Sequence, residues 1–567
     1  MELKIRCKHC VKPSIHMGLV YRWFVIVQIS LIVAGCPAPT LEENPKIKIL
    51  TAKLNSIETV RPADLSDSTP ILVEQATQEA TEQITDPNET IPVIQLTLEQ
   101  VRVATLANNL DLKVDLIEPA IARRSLDIER AKFEAAFFGS ASYSTSETEE
   151  GVSSISNDYE AGIDAPLYTG GSISVGMPFG ESDSDISDGV ADAAVSVSYI
   201  QSLLRGAGTR INTHSIRIAG YRKHITDAWT KQSIISLLAQ ADRAYWWLYM
   251  AQRQLDVARG QYEMAQKQLH HAERKVASGS AARIEVVRAE AGLSSTIEAL
   301  IDTETMVQNR QLNLQRIMNR PDMPLDASVR IDPNTEPNPL GLDIDQEKLV
   351  DIALSNRMDT IRLELQLAID ELDVELARNA MLPDLRFRYS FAAQTEAGEV
   401  AYALGDFGDK TSDTHSFSLS ASIPLGNRVA KARMEQARLQ KLQAEANYAS
   451  QRQFIRQQVY ESVREINNRW LRILAAEKNV ETAYRDYQVE QSQFQLGYRT
   501  STDVLLASTR FAQAQLRRIN ALAGYEIAMI DLAQATGTLL GHGRIIIEPT
   551  DLPDMAYQAE VPKVKSD

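Results

Sequence analysis

The chain contains one arrangement of residues twice, and this repetition constrains the fold more than any other feature of the sequence. Leu106–Asp111 (LANNLD) is followed 248 residues later by the similar segment Leu354–Asp359 (LSNRMD). Farther along, a second set recurs at an offset of 218: Gly279, Glu285, Val286 and Ala289 correspond to Gly497, Asp503, Val504 and Ala507. Similarity at a fixed offset is the signature of one structural unit built twice. The 567-residue chain is therefore predicted to form one pseudo-symmetric body instead of several unrelated domains.

Each predicted unit begins with a helical stretch and continues into segments with strand character. The helical stretches cover residues 97 to about 135 and 346 to about 381, where apolar residues recur at helical spacing. The strand segments, in which aromatic or apolar residues alternate with Ser and Gly, are 137–144, 193–200, 385–391 and 416–423. Such alternation is typical of outer-membrane barrel strands, although taken alone it fits a soluble sandwich equally well.

Polar segments rich in Ser, Gly and acidic residues separate the strand segments and are predicted to be exposed loops. They cover residues 146–158, 181–192 and 395–413. The section 159–179, with Gly170 and Gly171 near its centre, has the pattern of an additional hairpin that occurs in the first unit only. The sequence leaves open whether that hairpin joins the other strands.

Two very long helices follow the strand segments. One runs from about residue 208 to 276 and the other from about 428 to 496, and neither contains proline. At a rise of about 1.5 Å per residue, each would be on the order of 100 Å long. A short turn and a returning helix close each one, giving predicted hairpins over about 208–319 and 428–540. Apolar residues at three- and four-residue spacing indicate that the two arms pack as an antiparallel coiled coil.

The N-terminal region has the features of an exported lipoprotein. An apolar run, Trp23–Ala34, follows several Lys and Arg residues and is too short to span a bilayer as a stable helix, so it is predicted to be an export signal. The sequence Val33-Ala34-Gly35-Cys36 resembles a bacterial lipobox, in which the cysteine becomes the lipidated first residue. The predicted regions are a signal peptide (1–35), a flexible tether (36–95), the first unit (96–320), a Pro-rich mid-length segment (321–345), the second unit (346–541) and a tail (542–567).

Composition and charge exclude several classes of function. The formal net charge of −16 leaves no basic excess to neutralise phosphates, so nucleic acid is not expected as a partner. The histidines are scattered, and the adjacent His270 and His271 point apart on a helix, so no metal site is expected. The sequence contains no Gly-rich phosphate loop, nucleophile elbow or HExxH motif. The chain is therefore predicted not to be an enzyme and to need no cofactor.

The order of these segments and the motif at the second turn together resemble the TolC-like outer-membrane efflux proteins, in particular their lipoprotein members. The motif is LGYRTSTDVL (Leu496–Leu505), and the resemblance extends over about residues 96–540. It implies a mixed but mostly α-helical fold, in which a trimeric outer-membrane β-barrel continues into a long α-helical barrel. Each chain of this homotrimer would contribute four strands to a twelve-stranded barrel, because four strands alone cannot close one.

The resemblance also implies a function. The protein would be the outer-membrane channel of a tripartite efflux or type I secretion system, a passive exit duct opened at its periplasmic tips by an adaptor protein and supplied by an inner-membrane pump. It would lie in the outer membrane of a Gram-negative-type bacterium, in contact with lipid and anchored through Cys36. The alternative is a non-conducting coiled-coil lipoprotein that spans the envelope, or a periplasmic adaptor. The sequence does not indicate the cargo.

Residues at the two hairpin tips receive roles from the same resemblance. Arg499 and Asp503, with Glu285 as the corresponding acid of the first unit, match the network that closes the periplasmic entrance. The residues expected to contact the adaptor are Val276, Ser278, Gly279, Leu496, Gly497 and Tyr498. The family pattern has a second aspartate where Leu506 stands and a tyrosine where Phe494 stands, so the gate is expected to be weaker or latched differently. In the alternative interpretation, Arg499 and Asp503 only cap and solubilise a helix end.

Overall fold

Two long helical hairpins and one large antiparallel sheet make up most of the structure. The computed structural model describes residues 92–147, 153–184, 187–327, 329–397 and 412–542, all within one unit that begins at Thr90. The predicted signal peptide, Cys36 and the tail beyond residue 542 lie outside the described residues. The prediction of a mixed, mostly helical fold is confirmed for the described part of the chain.

Helices form three groups: short helices before the sheet, two hairpins of very long helices, and short connecting turns. They are α1 (Leu98–Asn108), α2 (Leu110–Asp115), α3 (Glu118–Ala131), α4 (Thr209–Asn212), α5 (His214–Ala277), α6 (Ile284–Met318), α7 (Gln346–Asn356), α8 (Met358–Asn379), α9 (Arg428–Gln495), α10 (Ser501–Ala535) and α11 (Leu539–His542). None of the helices in the described ranges is sufficiently long and apolar to cross a membrane.

Strands form two sheets. They are β1 (Val93–Leu96), β2 (Ala136–Glu147), β3 (Ser153–Pro166), β4 (Gly171–Ser184), β5 (Ser187–Ser202), β6 (Arg330–Pro333), β7 (Asp384–Ala397) and β8 (Ser412–Ser422). The short strands β1 and β6 pair in parallel, and the other six form one sheet in the order β2-β3-β4-β5-β7-β8. Every neighbouring pair in the large sheet is antiparallel.

The expectation of four strands per chain is wrong, because the described residues contain six strands in the large sheet. The section 159–179 belongs to β3 and β4, which are full members of that sheet. Much of the predicted loops 146–158 and 181–192 is strand, and only the ends of 395–413 lie in described strands. Ser and acidic residues on one face of a strand have the same composition as a loop, which explains the error.

The large sheet has two chemically different faces. Odd-numbered residues share one face across all six strands, and they are largely apolar: Phe137, Tyr143, Tyr159, Ile163, Ile173, Val175, Phe179, Val197, Tyr199, Phe387, Tyr389, Phe391, Phe417 and Leu419. Aromatic pairs cross neighbouring strands on this face, as in Tyr159 with Phe179 at 5.3 Å between ring centroids. The opposite face is mainly Ser, with acidic and basic residues: Ser140, Ser142, Asp158, Glu160, Asp164, Ser174, Asp192, Ser196, Ser198, Arg386, Arg388, Ser416 and Ser418.

Both helical stretches that precede the strands are interrupted, whereas the sequence pattern suggested continuous helices. The first breaks at Asn109 and again before Pro119, and the second breaks at Arg357. The breaks at Asn109 and Arg357 lie at corresponding positions. Asn109 donates to the carbonyl of Ile317 (2.9 Å), and Arg357 donates to the carbonyl of Ala535 (3.2 Å). Each break is therefore held against the end of a returning hairpin helix.

Long apolar seams hold the hairpins together. α5 packs against α6, α9 packs against α10, and α10 also packs against α5. In α9 the seam consists of Ile455, Val459, Val463 and Ile466, which are essentially inaccessible and contact Tyr525 and other residues of α10. Each fully buried side chain of this size contributes about 1.5–3 kcal/mol relative to exposure. The seam follows the three- and four-residue spacing that the sequence showed.

The small parallel sheet ties the N-terminal side of the described chain to the first hairpin. β1 begins inside the segment predicted as a tether, and the earlier residues of that segment lie outside the described residues. The hydroxyl of Tyr245, which is fully buried, donates to the carbonyl of Leu96 (3.2 Å) and accepts from the amide of Thr335 (2.8 Å). The Pro-rich segment thus contributes β6 and a hydrogen bond to the middle of α5.

The carboxylate of Asp359 is held at the second break by four donors. Burial alone would raise the pKa of Asp359, because it opposes the ionised form. The hydrogen bonds and charge of Arg357, with further hydrogen bonds from Gln451 and the amide of Thr360, outweigh the effect of burial and lower that pKa. A lowered pKa in the folded state means that the ionised group stabilises the fold above the ordinary aspartate pKa. That contribution is lost as the pH falls through the lower folded value.

We therefore expect Asp359→Asn to lower the melting temperature near neutral pH and to have less effect in acid. The difference from the unsubstituted protein should stay constant down to about pH 4, the ordinary pKa of aspartate, and shrink below it. Thermal melts followed by circular dichroism in detergent measure this difference. Asp111→Asn, at the corresponding exposed position of the first stretch, is the matched control. A difference that grows below pH 4 would contradict the assignment.

The candidate gate at the hairpin tips

The turns that close the two hairpins have the same backbone geometry. Gly279 and Gly497, which lie 218 residues apart, have φ values of 71° and 86°. Residues with a Cβ are strained at these angles, so glycine is required at both turns. At the second turn the amide of Gly497 donates to the carbonyl of Phe494 (3.0 Å) and that of Tyr498 to Gln493 (2.9 Å). These bonds satisfy carbonyls that the end of α9 leaves free.

Asp503 caps the helix that follows the second turn. The side chain of Thr500 accepts a hydrogen bond from the amide of Asp503 (3.4 Å), and the carboxylate of Asp503 accepts from the amide of Thr500 (2.9 Å). This reciprocal capping box satisfies two amides at the start of α10. The amide of Thr500 is the main cause that lowers the pKa of Asp503, and the hydroxyl of Thr500 and the charge of Arg499 contribute further.

Glu285 occupies the corresponding position after the first turn but caps a different helix. Ala282 stands where the second turn has Thr500, so no capping side chain precedes α6. One carboxylate oxygen of Glu285 instead accepts a hydrogen bond from the amide of Ser501 (3.0 Å), the first residue of α10. Its other oxygen accepts from Arg288 (2.9 Å). Glu285 therefore joins the start of one returning helix to the start of the other.

Arg499 turns away from Asp503 in this structure. Its Nε donates to the side-chain oxygen of Gln493 (3.1 Å) and lies 3.1 Å from a carboxylate oxygen of Glu490, which is largely buried. Among the described residues, Arg499 and Asp503 form no ion pair with each other. Of the three predicted gate residues, the structure brings Glu285 to the helix that Asp503 caps, and it places Arg499 along the last turns of α9.

The sequence did not reveal the role of Lys275. Its ammonium group lies 3.8 Å from the centre of the Phe494 ring and donates to the carbonyl of Phe494. Phe494 itself is buried, with 6% of its surface exposed. The departure from the family pattern at Phe494 identified the position but not its partner on the other hairpin. A cation resting on a buried ring is a further link between the two tips.

The residues predicted to contact an adaptor lie mostly at the surface. Leu496 is 72% exposed and Tyr498 80% exposed. Ser278, Gly279 and Gly497 are also exposed, whereas Val276 is half-buried. Ile284 and Val287, on the first turn of α6, add further exposed apolar surface. The described ranges contain no group of three or more His, Cys, Asp or Glu side chains placed to hold a metal ion.

Solved structures that are similar in fold to this chain include outer membrane proteins, among them channels. The CmeC channel of Campylobacter jejuni superposes with a TM-score of 0.61 at 17% identity, covering 84% of this chain and 90% of CmeC. VceC of Vibrio cholerae, an outer membrane protein, gives a TM-score of 0.59 at 15% identity, covering 78% of this chain and 96% of VceC. Identities this low establish the fold alone.

Sequence comparison establishes the family. The pattern of the family described as Outer membrane efflux protein matches residues 210–320 and 349–538, which together exceed half of the chain. This chain belongs to the outer membrane efflux protein family, and the resemblance seen in the sequence is confirmed. The alkaline protease secretion protein AprF of Pseudomonas aeruginosa is 29% identical over 173 residues. That match spans 29% of this chain and about a third (34%) of AprF.

Proposed function

We propose that this protein is a passive exit duct of the outer membrane that rests closed at its hairpin tips and performs no catalysis. Family membership supports the channel function, and the hydrogen bond between Glu285 and the amide of Ser501 carries the gating proposal. That contact joins the two tips of one chain, so separating the tips requires breaking it. Asp503 stabilises the start of the same helix, and Arg499 stabilises the end of α9.

A homotrimer is part of the proposal. The strands β2 and β8 are edge strands of the large sheet, and an unpaired edge in lipid leaves backbone groups without partners. The helices that adjoin these strands in the sequence form a row in the same order as the strands: α3 packs on α5, α5 on α8 and α8 on α9. Both layers thus end in open edges, α3 with β2 on one side and β8 with α9 on the other. A head-to-tail ring of copies pairs these edges, and we infer three copies from the family.

The proposed exit duct also implies partner proteins. An adaptor protein binds the exposed tips and draws the hairpins apart, and an inner-membrane pump or a secretion ATPase supplies the cargo. The name of AprF describes secretion of a protease, which makes export of a polypeptide one candidate for this chain. Cys36 carries the lipid anchor of the mature protein in this proposal.

Adaptor binding predicts a measurable effect of the exposed tip residues. We expect the double variant Leu496→Ser and Tyr498→Ser to weaken binding to the cognate adaptor at least about tenfold, because two exposed apolar anchors are lost. Surface plasmon resonance with the purified adaptor measures the dissociation constant. Leu471→Ser, on a 62% exposed leucine of α9 that is remote from the turn, is the matched control. Equal losses in the control and the tip variant would argue against a tip site.

The channel function itself is tested by reconstitution. Purified protein in a planar lipid bilayer should show low resting conductance with discrete openings. The alternative, a coiled-coil lipoprotein or adaptor without a pore, predicts no conductance under any condition. A folded oligomer that never conducts, even when the tips are altered, would overturn the proposal.

A further inference from the structure

We propose that the hairpin formed by β3 and β4 lies in the barrel wall, so that three copies of six strands close an eighteen-stranded barrel. The resemblance to TolC-like proteins implies a barrel of twelve strands instead. Because barrel diameter grows roughly linearly with strand number, this barrel is about 1.5-fold wider. The inference rests on the proposed trimeric channel and concerns the width of its outer end.

Backbone pairing gives the first argument. β2 pairs with β3 from Ala136–Asp164 to Glu147–Ser153, and β4 pairs with β5 on the other side of the hairpin. Within the described residues β2 has no pairing with β5. The strand β2 is therefore connected to the rest of the sheet only through β3 and β4. A barrel that excluded the hairpin would have to break both ladders and form a new one.

The two faces of the sheet give the second argument. On the apolar face, Ile163 of β3 lies between Phe137 of β2 and Val175 of β4, and the apolar row continues from there to Val197 of β5. A hairpin folded over the mouth of a pore would be wetted on both faces and would need no such continuity. Apolar residues on one side and serines on the other are what a strand between lipid and lumen requires.

Strand polarity allows six strands per chain to close the barrel. Six antiparallel strands place β2 and β8 in opposite directions, so β8 of one copy can pair with β2 of the next in antiparallel fashion. The helix edges beneath them also present apolar residues: Ile121 and Ile128 on α3, and Leu439 and Leu442 on α9, are all more than half exposed. A second copy of this chain covers both the strand edge and the helix edge at once.

The additional hairpin also changes the lining of the lumen. Asp158, Glu160 and Asp164 of β3 share the serine face, and Arg386 and Arg388, near the start of β7, supply positive charge on the same face. The outer end of the duct is consequently wide, hydrated and unevenly charged. This wide outer end admits larger hydrated solutes than the end of a twelve-stranded barrel. The acidic residues of β3, repeated in each copy, form a ring that favours cations there.

Lipid access to adjacent residues of β4 tests the position of the hairpin. The variants Val175→Cys and Ser174→Cys are each labelled with a thiol-linked fluorophore and reconstituted into brominated lipids. Brominated lipids quench the fluorescence of a label that they contact. Leu419→Cys and Ser418→Cys on β8 serve as references for the two faces, and the unsubstituted protein measures any signal from Cys36. We expect several-fold stronger quenching at residue 175 than at 174, matching the ratio of 419 to 418. Equal, weak quenching at 174 and 175 would overturn the inference.

A deletion supplies the second measurement. Removing residues 153–184 joins β2 to β5 in the antiparallel sense and leaves four strands per chain. Polyethylene glycols added from the outer side should enter the unsubstituted channel up to a hydrodynamic radius about 1.5-fold larger than the limit for this variant. Equal limits would contradict the wider barrel. Unsubstituted protein that never conducts contradicts the proposed function instead, while the quenching pattern still decides where the hairpin lies.

Discussion

Replacing Asp242 with alanine is expected to destabilise the protein by about 3–5 kcal/mol. Asp242 lies on α5 with 1% of its surface exposed, and both of its oxygens accept hydrogen bonds from Arg102 of α1, at 2.9 and 2.7 Å. Arg102 is also buried, at 9% exposed. The substitution leaves its guanidinium charge without a partner where little water can reach it. Chemical denaturation in detergent, followed by circular dichroism, measures the loss.

Two further variants separate this effect from a general loss of packing. The double variant Arg102→Met and Asp242→Leu removes both charges and should recover most of the lost stability. Arg518→Ala breaks a comparable contact with Glu477 in which both side chains are about half exposed, and it should cost no more than about 1 kcal/mol. If Asp242→Ala costs as little as Arg518→Ala, the pair does not hold α1 against α5 in solution.

Substitution of Glu285 by glutamine is expected to raise the resting conductance of the channel strongly. The carboxylate that accepts from the amide of Ser501 becomes a neutral amide whose oxygen still accepts. The loss is therefore the difference between a charged hydrogen bond, about 1.5–3 kcal/mol, and a neutral one, about 0.5–1.5 kcal/mol. Because about 1.4 kcal/mol is a factor of ten in an equilibrium, a difference of about 1–1.5 kcal/mol should increase the ratio of open to closed tips roughly five- to tenfold. Single-channel recording in a planar bilayer gives this ratio directly as the open fraction.

A matched control exists on the same helix. Glu290→Gln makes the same chemical change at an exposed carboxylate one turn farther from the tip, and it should leave the open fraction unchanged. Lys275→Gln removes the cation from the Phe494 ring and should open the channel to a lesser extent. An open fraction that is the same in Glu285→Gln and Glu290→Gln would remove the basis for a gate at this contact.

Much of the helical architecture could be predicted from the sequence. The long helices lack proline and keep one apolar spacing over many turns, and such a pattern has few alternative folds. The sequence predicts the tip ends of α5 and α9 to within one residue, because Gly279 and Gly497 mark the turns there. The interruptions at Asn109 and Arg357 could not be predicted. They depend on carbonyl groups of Ile317 and Ala535, which are remote in the sequence.

The strands and the gate also combine features that the sequence predicts with features that depend on residues remote in the sequence. Alternation of aromatic or apolar residues with Ser and Gly predicts β2, β5, β7 and β8, whereas much of β3 and β4 carries Ser, Asp and Glu on one face and has the composition of exposed loops. At the tips, the positions of Glu285, Arg499 and Asp503 came from a motif, whereas their partners did not. A motif contains no information on whether Glu285 caps its own helix or a neighbouring one, since that depends on how the hairpins dock.

The central claim is that two hairpins per chain are wall segments of a hollow conduit that copies of the chain complete. Electron cryo-microscopy of the full-length protein in lipid nanodiscs tests it most directly. We expect a ring of three copies with one continuous water-filled bore, open through the sheet and narrowed at the turns of Gly279 and Gly497. A solid helical bundle, or a particle without a bore, would contradict the account.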